Sequence, residues 1–158
     1  MGHTFTKLYI HGVFATRARD AWFVDPAVRA RVLHYIGGIA SEHDYLVMAV
    51  GGWIEHVHIL FELPKTRTVP EFMKTVKANS SKWLRKAYPK NFSRFAWQEG
   101  YSAFSVSASQ LDRVGEYIEN QEERHSRRDR AGTTYGFLDE MRSFAYKHGI
   151  EFRNEDYG

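Results

Sequence analysis

The tetrapeptide Glu55-His56-Val57-His58 has the first spacing in the chain that could do chemistry. Side chains alternate faces along a β-strand, so His56 and His58 would point the same way and their ring nitrogens could converge on one ion. Neutral imidazole is a good ligand for divalent metals. Two unrelated surface or part-buried histidines would satisfy the same spacing. Tyr117 and Gln121 form a second constellation, four apart and therefore on one face if the segment is helical. Leu111, Val114 and Ile118 supply its packing stripe, and Tyr117 could equally be one more core aromatic among nine tyrosines.

Residues 65–94 hold Lys65, Arg67, Lys74, Lys77, Lys82, Arg85, Lys86, Lys90 and Arg94 against a single acid, Glu71. A solvated helix face accounts for such a run, but surfaces balanced for solubility usually mix their signs. The interleaved Trp83, Tyr88, Phe92 and Phe95 are candidate stacking platforms for bases. The run 122–130 is mixed in sign and reads as a solvated helix end. His125 falls four after Gln121 and could join a metal site, although the helix-end reading is preferred. His11 shares a strand face with Tyr9 and Val13 and reads as a satisfied, part-buried histidine.

These residues need a scaffold, and the chain supplies its signals in order. Residues 6–15 are rich in β-branched and aromatic types and read as a strand. Asp25-Pro26 is an N-cap followed by proline at the first helical position. Val28, Val32, Tyr35, Ile36 and Ile39 continue at helical spacing, with Gly37-Gly38 weakening the end. Residues 45–50 read as a strand that Gly51-Gly52 turns back into another, 53–63. Thr68-Val69-Pro70-Glu71 is a capping box opening a helix that Pro89 closes. Residues 101–107 read as a fourth strand. Ser109-Gln110-Leu111-Asp112 is a second capping signal, for a helix reaching about residue 127. The tail, 133–158, reads as a helix ending at Gly149 and then a short extended segment. The order β-α-β-β-α-β followed by a helix predicts an α+β fold, a ferredoxin-like antiparallel sheet with its helices on one face and an added tyrosine-bearing helix.

The 158 residues suit one domain with a real core. Hydrophobic residues make up 43% and charged residues 26%, which excludes a disordered chain. The net charge of +3 and a pI of about 9.1 permit an anionic partner. With no cysteine there is neither a disulfide framework nor a cysteine-based zinc site. No run matches a signal-peptide core or a membrane span, so the expected location is cytoplasmic with no membrane partner. There is no Gly-rich phosphate loop and no carboxylate cluster of the kind that holds two metals.

In their joint order these pieces resemble the HUH superfamily, whose motif is His56-Val57-His58 here. More narrowly, the chain looks like the single-tyrosine transposases of bacterial insertion sequences, relatives of the REP-associated tyrosine transposases. The matching segments are the first strand with His11, Glu55-His56-Val57-His58-Ile59-Leu60, the basic helix near Lys74 to Trp83, Trp97-Gln98-Glu99-Gly100-Tyr101, Tyr117-Ile118-Glu119-Asn120-Gln121, and the tail Gly149-Ile150-Glu151-Phe152. Glu55 departs from the aspartate common before the first histidine.

The resemblance implies a transposase domain over 1–130, with 131–158 as a helical tail of the same domain. It implies Tyr117 as nucleophile, with His56, His58 and Gln121 holding a divalent ion, Mg²⁺ or Mn²⁺. It implies cleavage and rejoining of single-stranded DNA at hairpin-marked ends through a 5′-phosphotyrosine. It also implies a homodimer whose sites are built from both subunits. Lys74, Lys77, Lys82 and Arg85 are the candidate grip on the hairpin backbone. The alternatives are a palindrome-binding protein without chemistry, a ferredoxin-like module for a small ligand or structural metal, and a replication initiator, which usually carries further domains.

Overall fold

The computed structural model describes residues 2–128, 130–153 and 155. Strands β1 (Leu8–Ala15), β2 (Leu46–Gly52), β3 (His56–Leu63) and β4 (Ser102–Val106) form one antiparallel sheet in the order β2-β3-β1-β4. Helices α1 (Pro26–Glu42) and α2 (Val69–Ala87) fall between β1 and β2 and between β3 and β4. The ferredoxin-like α+β order therefore holds. Three further helices follow: α3 (Leu111–Glu119), α4 (Gln121–Ser126) and α5 (Phe137–Lys147).

Strand alternation sorts the side chains into two layers. Phe14, Val57, Ile59 and Phe61 face α1 and α2, where they meet Val32, Ile36, Phe72, Met73, Val76 and Leu84 in the main core. Each fully buried phenylalanine there contributes on the order of 2–3 kcal/mol through the apolar area it removes from water. His11, Val13, Ala15, His56, His58 and Leu60 face the other way, and all are buried. Their cover is α3, α4 and α5, so helices lie on both faces of the sheet rather than one. Ile118 packs on Ala49 and Leu60, while Phe137 and Met141 pack on Val13, Ala15 and Phe104.

The helix starts behave as their sequences dictate. The Asp25 carboxylate accepts from the Ala27 amide at 2.9 Å. Thr68 and Glu71 exchange both bonds of the capping box. Despite Gly37-Gly38, α1 runs on to Glu42, because Val32, Ile36, Ile39 and Ala40 are buried against the sheet and packing outweighs the propensity loss.

Elsewhere the structure departs from expectation. Ser109 does not cap α3; a 3-10 turn, Ala108–Gln110, leads straight into it. The helix expected to run to about 127 breaks at Asn120 (φ −97°, ψ 20°) into α3 and α4. Gly51 and Gly52 are not the turn either, since they pair with His58 and Val57 inside the sheet. Their role is close approach. A Cβ on Gly51 would lie 1.8 Å from the Ile118 carbonyl oxygen, and one on Gly52 would lie 2.5 Å from that of His56. Met48 bulges out of register between Val47 and Ala49, which returns Ala49 to the face beneath α3. Together these small and bulged positions let α3 lie directly on β2, which fixes where Tyr117 can reach.

Candidate active site

His56 and His58 project from β3 into a fully buried cluster. β1 runs alongside in a register that sets Ala15 opposite His56 and Val13 opposite His58. From α4, Gln121 brings Oε1 within 3.0 Å of His56 Nε2, and His125 brings its own Nε2 within 3.0 Å of the same oxygen. From α5 comes Glu140. Its Oε1 lies 2.8 Å from His58 Nε2 and 3.3 Å from His56 Nε2, and its Oε2 lies 3.3 Å from His125 Nε2. Gln121 Nε2 donates to Glu140 Oε2 at 3.0 Å, and the Tyr117 hydroxyl donates to that oxygen as well. His56, His58, Gln121 and Glu140 are completely shielded from solvent.

All three histidines are oriented through Nδ1. That atom meets Glu55 Oε1 at 2.5 Å in His56, His11 Nε2 at 2.7 Å in His58, and the Tyr135 carbonyl at 2.5 Å in His125. A proton held at Nδ1 leaves the Nε2 lone pair for a metal, the usual outer arrangement of metal-binding histidines. The Nε2 and oxygen atoms that then converge lie 2.8–3.3 Å apart. Neighbouring ligands are spaced by about 3 Å around an ion with bonds of about 2.1 Å, so the donor set fits a divalent cation. His56, His125 and Glu140 alone offer three ligand atoms within 4.8 Å of one another. The Glu55 side chain, one methylene longer than aspartate, reaches the ring of its neighbour.

The electrostatics follow from burial and from Glu140. Burial disfavours a charged His56, but hydrogen bonds and charge from Glu140 and Glu55 outweigh it and raise its pKa to about 9. Burial dominates at His58 and His11 and lowers both. Burial also opposes the charge on Glu140, yet the surrounding imidazoles prevail and hold it ionised far below the usual carboxylate range. Tyr117 is pushed upward, first by burial and then by the Glu140 charge. The Arg124 guanidinium, 4.5 Å from the centre of the phenol ring, acts in the opposite direction.

The structure thus brings Tyr117, His56, His58 and Gln121 together within one chain. It adds His125 and Glu140. His125 belongs to the run read as a solvated helix end, but it is buried, with Tyr135 stacked on its ring and Glu140 of α5 beside its Nε2. Glu140 was missed altogether. Its only signal is position: it is a lone acid within the stripe Phe137, Met141, Phe144 that α5 presents to the sheet.

The basic candidates are not brought to this site. Lys74, Lys77, Lys82 and Arg85 lie on α2, across the sheet. Lys74 and Lys82 are exposed. Lys77 is half-buried and donates to the Gln98 and Gly100 carbonyls at 2.6 and 2.9 Å, while Arg85 donates to the Phe95 carbonyl. Phe92 and Phe95 are core residues, and Trp83 stacks on Tyr35 at 4.5 Å. These rings are committed to packing within the chain and do not form an open platform for bases.

A ferredoxin-like sheet with paired histidines on its inner strand, and a tyrosine and glutamine on the two consecutive helices behind it, defines a protein of the HUH tyrosine-transposase class. The IS200-like transposase family model matches residues 4–121, well over half the chain, and the chain belongs to that family. It is 27% identical over 90 residues to the ISDra2 transposase TnpA of Deinococcus radiodurans, a match that covers 54% of this chain and 64% of that relative. Its fold is similar to a crystal structure of a protein assigned as a transposase from D. radiodurans R1 (TM-score 0.59, 24% identity, 77% of this chain and 97% of that one). It is also similar to a REP-associated tyrosine transposase bound to a REP hairpin (TM-score 0.52, 15% identity, 75% and 68%). Among the described residues no helix is long and apolar enough to cross a membrane.

Proposed function

We propose that this transposase cuts and rejoins single-stranded DNA at hairpin-marked ends through a covalent bond to Tyr117. The observation that carries this reading is the meeting of Tyr117 with the His56–His58–Gln121 cluster in one buried site. His56, His58 and Gln121 would hold a divalent ion, Mn²⁺ or Mg²⁺, with their imidazoles favouring Mn²⁺. Such an ion, when bound, polarises the scissile phosphate and takes up part of its developing charge.

The chain's own residues do the rest. The Tyr117 oxygen forms a bond to phosphorus as the bond from phosphorus to the 3′ oxygen breaks. The phenol proton ends on the departing 3′-hydroxyl. The 5′-phosphotyrosine preserves the phosphodiester energy, so a second 3′-hydroxyl can reverse the step without a nucleotide cofactor. Arg124, beside the ring, stabilises the phenolate. Glu55, His11 and the Tyr135 carbonyl keep the imidazoles aimed. The exposed Lys74 and Lys82, with Arg85, would hold DNA backbone by charge and without reading bases. Joining two ends needs two copies acting together, which a homodimer supplies.

A denaturing gel tests the proposal. Protein is mixed with labelled single strands copied from the DNA flanking its gene, with Mn²⁺ or with chelator. A metal-dependent covalent adduct that disappears in Tyr117→Phe is expected. Tight binding of the same strands with no adduct would instead support a palindrome-binding protein without chemistry.

A further inference from the structure

Arg29, near the start of α1, is a buried charge outside the histidine cluster, with only 5% of its surface exposed. A buried guanidinium is rare and costly unless its donors are taken up. Here Nη1 donates to the Phe23 carbonyl at 2.7 Å, and Nη2 lies 3.2 Å from Glu122 Oε1. The flat face of the group covers the Trp53 ring, with Cζ 4.7 Å from the ring centre. A guanidinium can serve all three partners because its donors point outward in one plane while its face stays free to stack.

Two of those partners adjoin metal-ligand candidates. Trp53 lies in the turn between β2 and β3, and its amide donates to the His56 carbonyl at 3.0 Å. Phe23 is tied to the same turn, its amide donating to the Ile54 carbonyl at 2.9 Å. Glu122 follows Gln121 in the first turn of α4. The break at Asn120 means that the direction of α3 does not carry through into α4, so α4 needs an anchor of its own. Gln121 Oε1 is nevertheless held within 3.0 Å of both His56 Nε2 and His125 Nε2.

We propose that Arg29 is a positioning residue for the metal site: by joining Trp53, which is bonded to His56, to Glu122, which adjoins Gln121, it sets the distance between the ligands of β3 and α4. This rests on the reading of His56 and Gln121 as ligands. The Glu122 side chain is 66% exposed, and ion pairs open to water add little to stability, so the use of this pair is orientation rather than folding energy.

The test titrates Mn²⁺ into wild type, Glu122→Ala, Glu122→Gln, Arg29→Met and Gln121→Ala. Calorimetry gives the affinity, electron paramagnetic resonance reports the bound ion, and melts of the metal-free proteins give Tm. Glu122→Ala breaks the link at its exposed end. It should bind about tenfold more weakly, the lower end of what losing an outer partner costs, with Tm close to wild type. Glu122→Gln keeps an acceptor for Arg29 and should recover most of that loss. At saturating Mn²⁺ the resonance of Glu122→Ala should move toward that of Gln121→Ala, because a displaced Gln121 leaves the same ligand missing. Arg29→Met also gives up the Phe23 bond, so it should lose Tm as well as affinity. Adding Glu122→Ala to it should cost no further affinity, since both act through one link. Wild-type affinity in Glu122→Ala, or a loss that Glu122→Gln does not relieve, would overturn the proposal. So would a lowered Tm with wild-type affinity in Arg29→Met, which would make Arg29 structural only. Failure of the underlying reading looks different: Gln121→Ala, with Arg29 and Glu122 intact, would bind Mn²⁺ like wild type, and the proposal would fall with it.

Discussion

Nε2 of His56 on β3 and Oε1 of Gln121 at the start of α4 lie 3.0 Å apart, although 65 residues separate them in the chain. That contact ties the strand carrying the histidines to the broken helix, α3 and α4, that carries Tyr117 and Gln121. A metal held by both would lock the two elements together, so metal binding and site geometry are coupled.

Titration of Mn²⁺ by calorimetry should show this coupling. His56→Ala and His58→Ala are expected to abolish measurable binding, since each removes a ring nitrogen that faces the cluster. Glu55→Ala removes only the group that orients His56, and should weaken binding by about 10–100-fold, the usual effect of losing an outer partner. Equal affinity in wild type and Glu55→Ala would show that the short Glu55–His56 contact does not set the ligand.

Gly51→Ala should be costly for a site that Gly51 does not touch chemically. Its Cβ would collide with backbone, the Ile118 carbonyl, and so would lift α3 off β2. A loss of about 1–3 kcal/mol is expected, together with a fall in adduct rate, since Tyr117 precedes Ile118 on that helix. Gly12→Ala is the control. Its nearest neighbour at 2.6 Å is the end of the flexible Met73 side chain, which can move aside. Thermal melts of the two variants should differ clearly in Tm.

The metal-free protein should be most stable near pH 6.5. The His56 pKa is raised from 6.5 to about 9, so its contribution is fully present below 6.5 and is lost as pH rises through 9. His11 and His58 are lowered, so the fold favours their neutral forms and loses that contribution as pH falls below 6.5. Melting curves in chelator across this range should fall on both sides, and Glu140→Gln should flatten the alkaline limb. A curve still rising at pH 9 would contradict the assignment of a protonated, Glu140-paired His56.

Much of this site was legible because it rests on local periodicity. Alternation along β3 placed His56 and His58 on one face and Val57, Ile59 and Phe61 on the other. Helical spacing put Tyr117 beside Gln121, and that relation survives the break at Asn120, with Gln121 Nε2 3.5 Å from the Tyr117 carbonyl. What escaped depends on tertiary docking. Glu140 becomes an active-site group only because α5 folds back over β1 and β3. His125 looked solvated because its neighbours in sequence are charged, but Tyr135 stacks on its ring and Gln121 and Glu140 meet its Nε2. Part of the basic run has a structural use that its composition does not announce, since Lys77 and Arg85 donate to backbone carbonyls. Gly51-Gly52 carries the composition of a turn, but its glycines answer a packing demand from α3 that no local pattern announces.

That distinction can be measured through DNA binding. Lys77 is spent on the Gln98 and Gly100 carbonyls, so Lys77→Ala should lower Tm and leave the salt dependence of binding nearly unchanged. Lys74→Ala and Lys82→Ala should leave Tm alone and each reduce the slope of log affinity against log salt by about 0.7, if each meets one phosphate of a single strand. Slopes identical to wild type in both would remove the outer face of α2 from the DNA interface.

The most direct measurement is mass spectrometry of the trapped adduct. Wild-type protein reacted with a flanking single strand in Mn²⁺ would be digested with nuclease and protease, and the modified peptide sequenced. A nucleotide mass on Tyr117, absent after chelation and in His56→Ala, is the expected result. A nucleotide on any other residue, or none despite cleaved DNA, would contradict Tyr117 as the nucleophile.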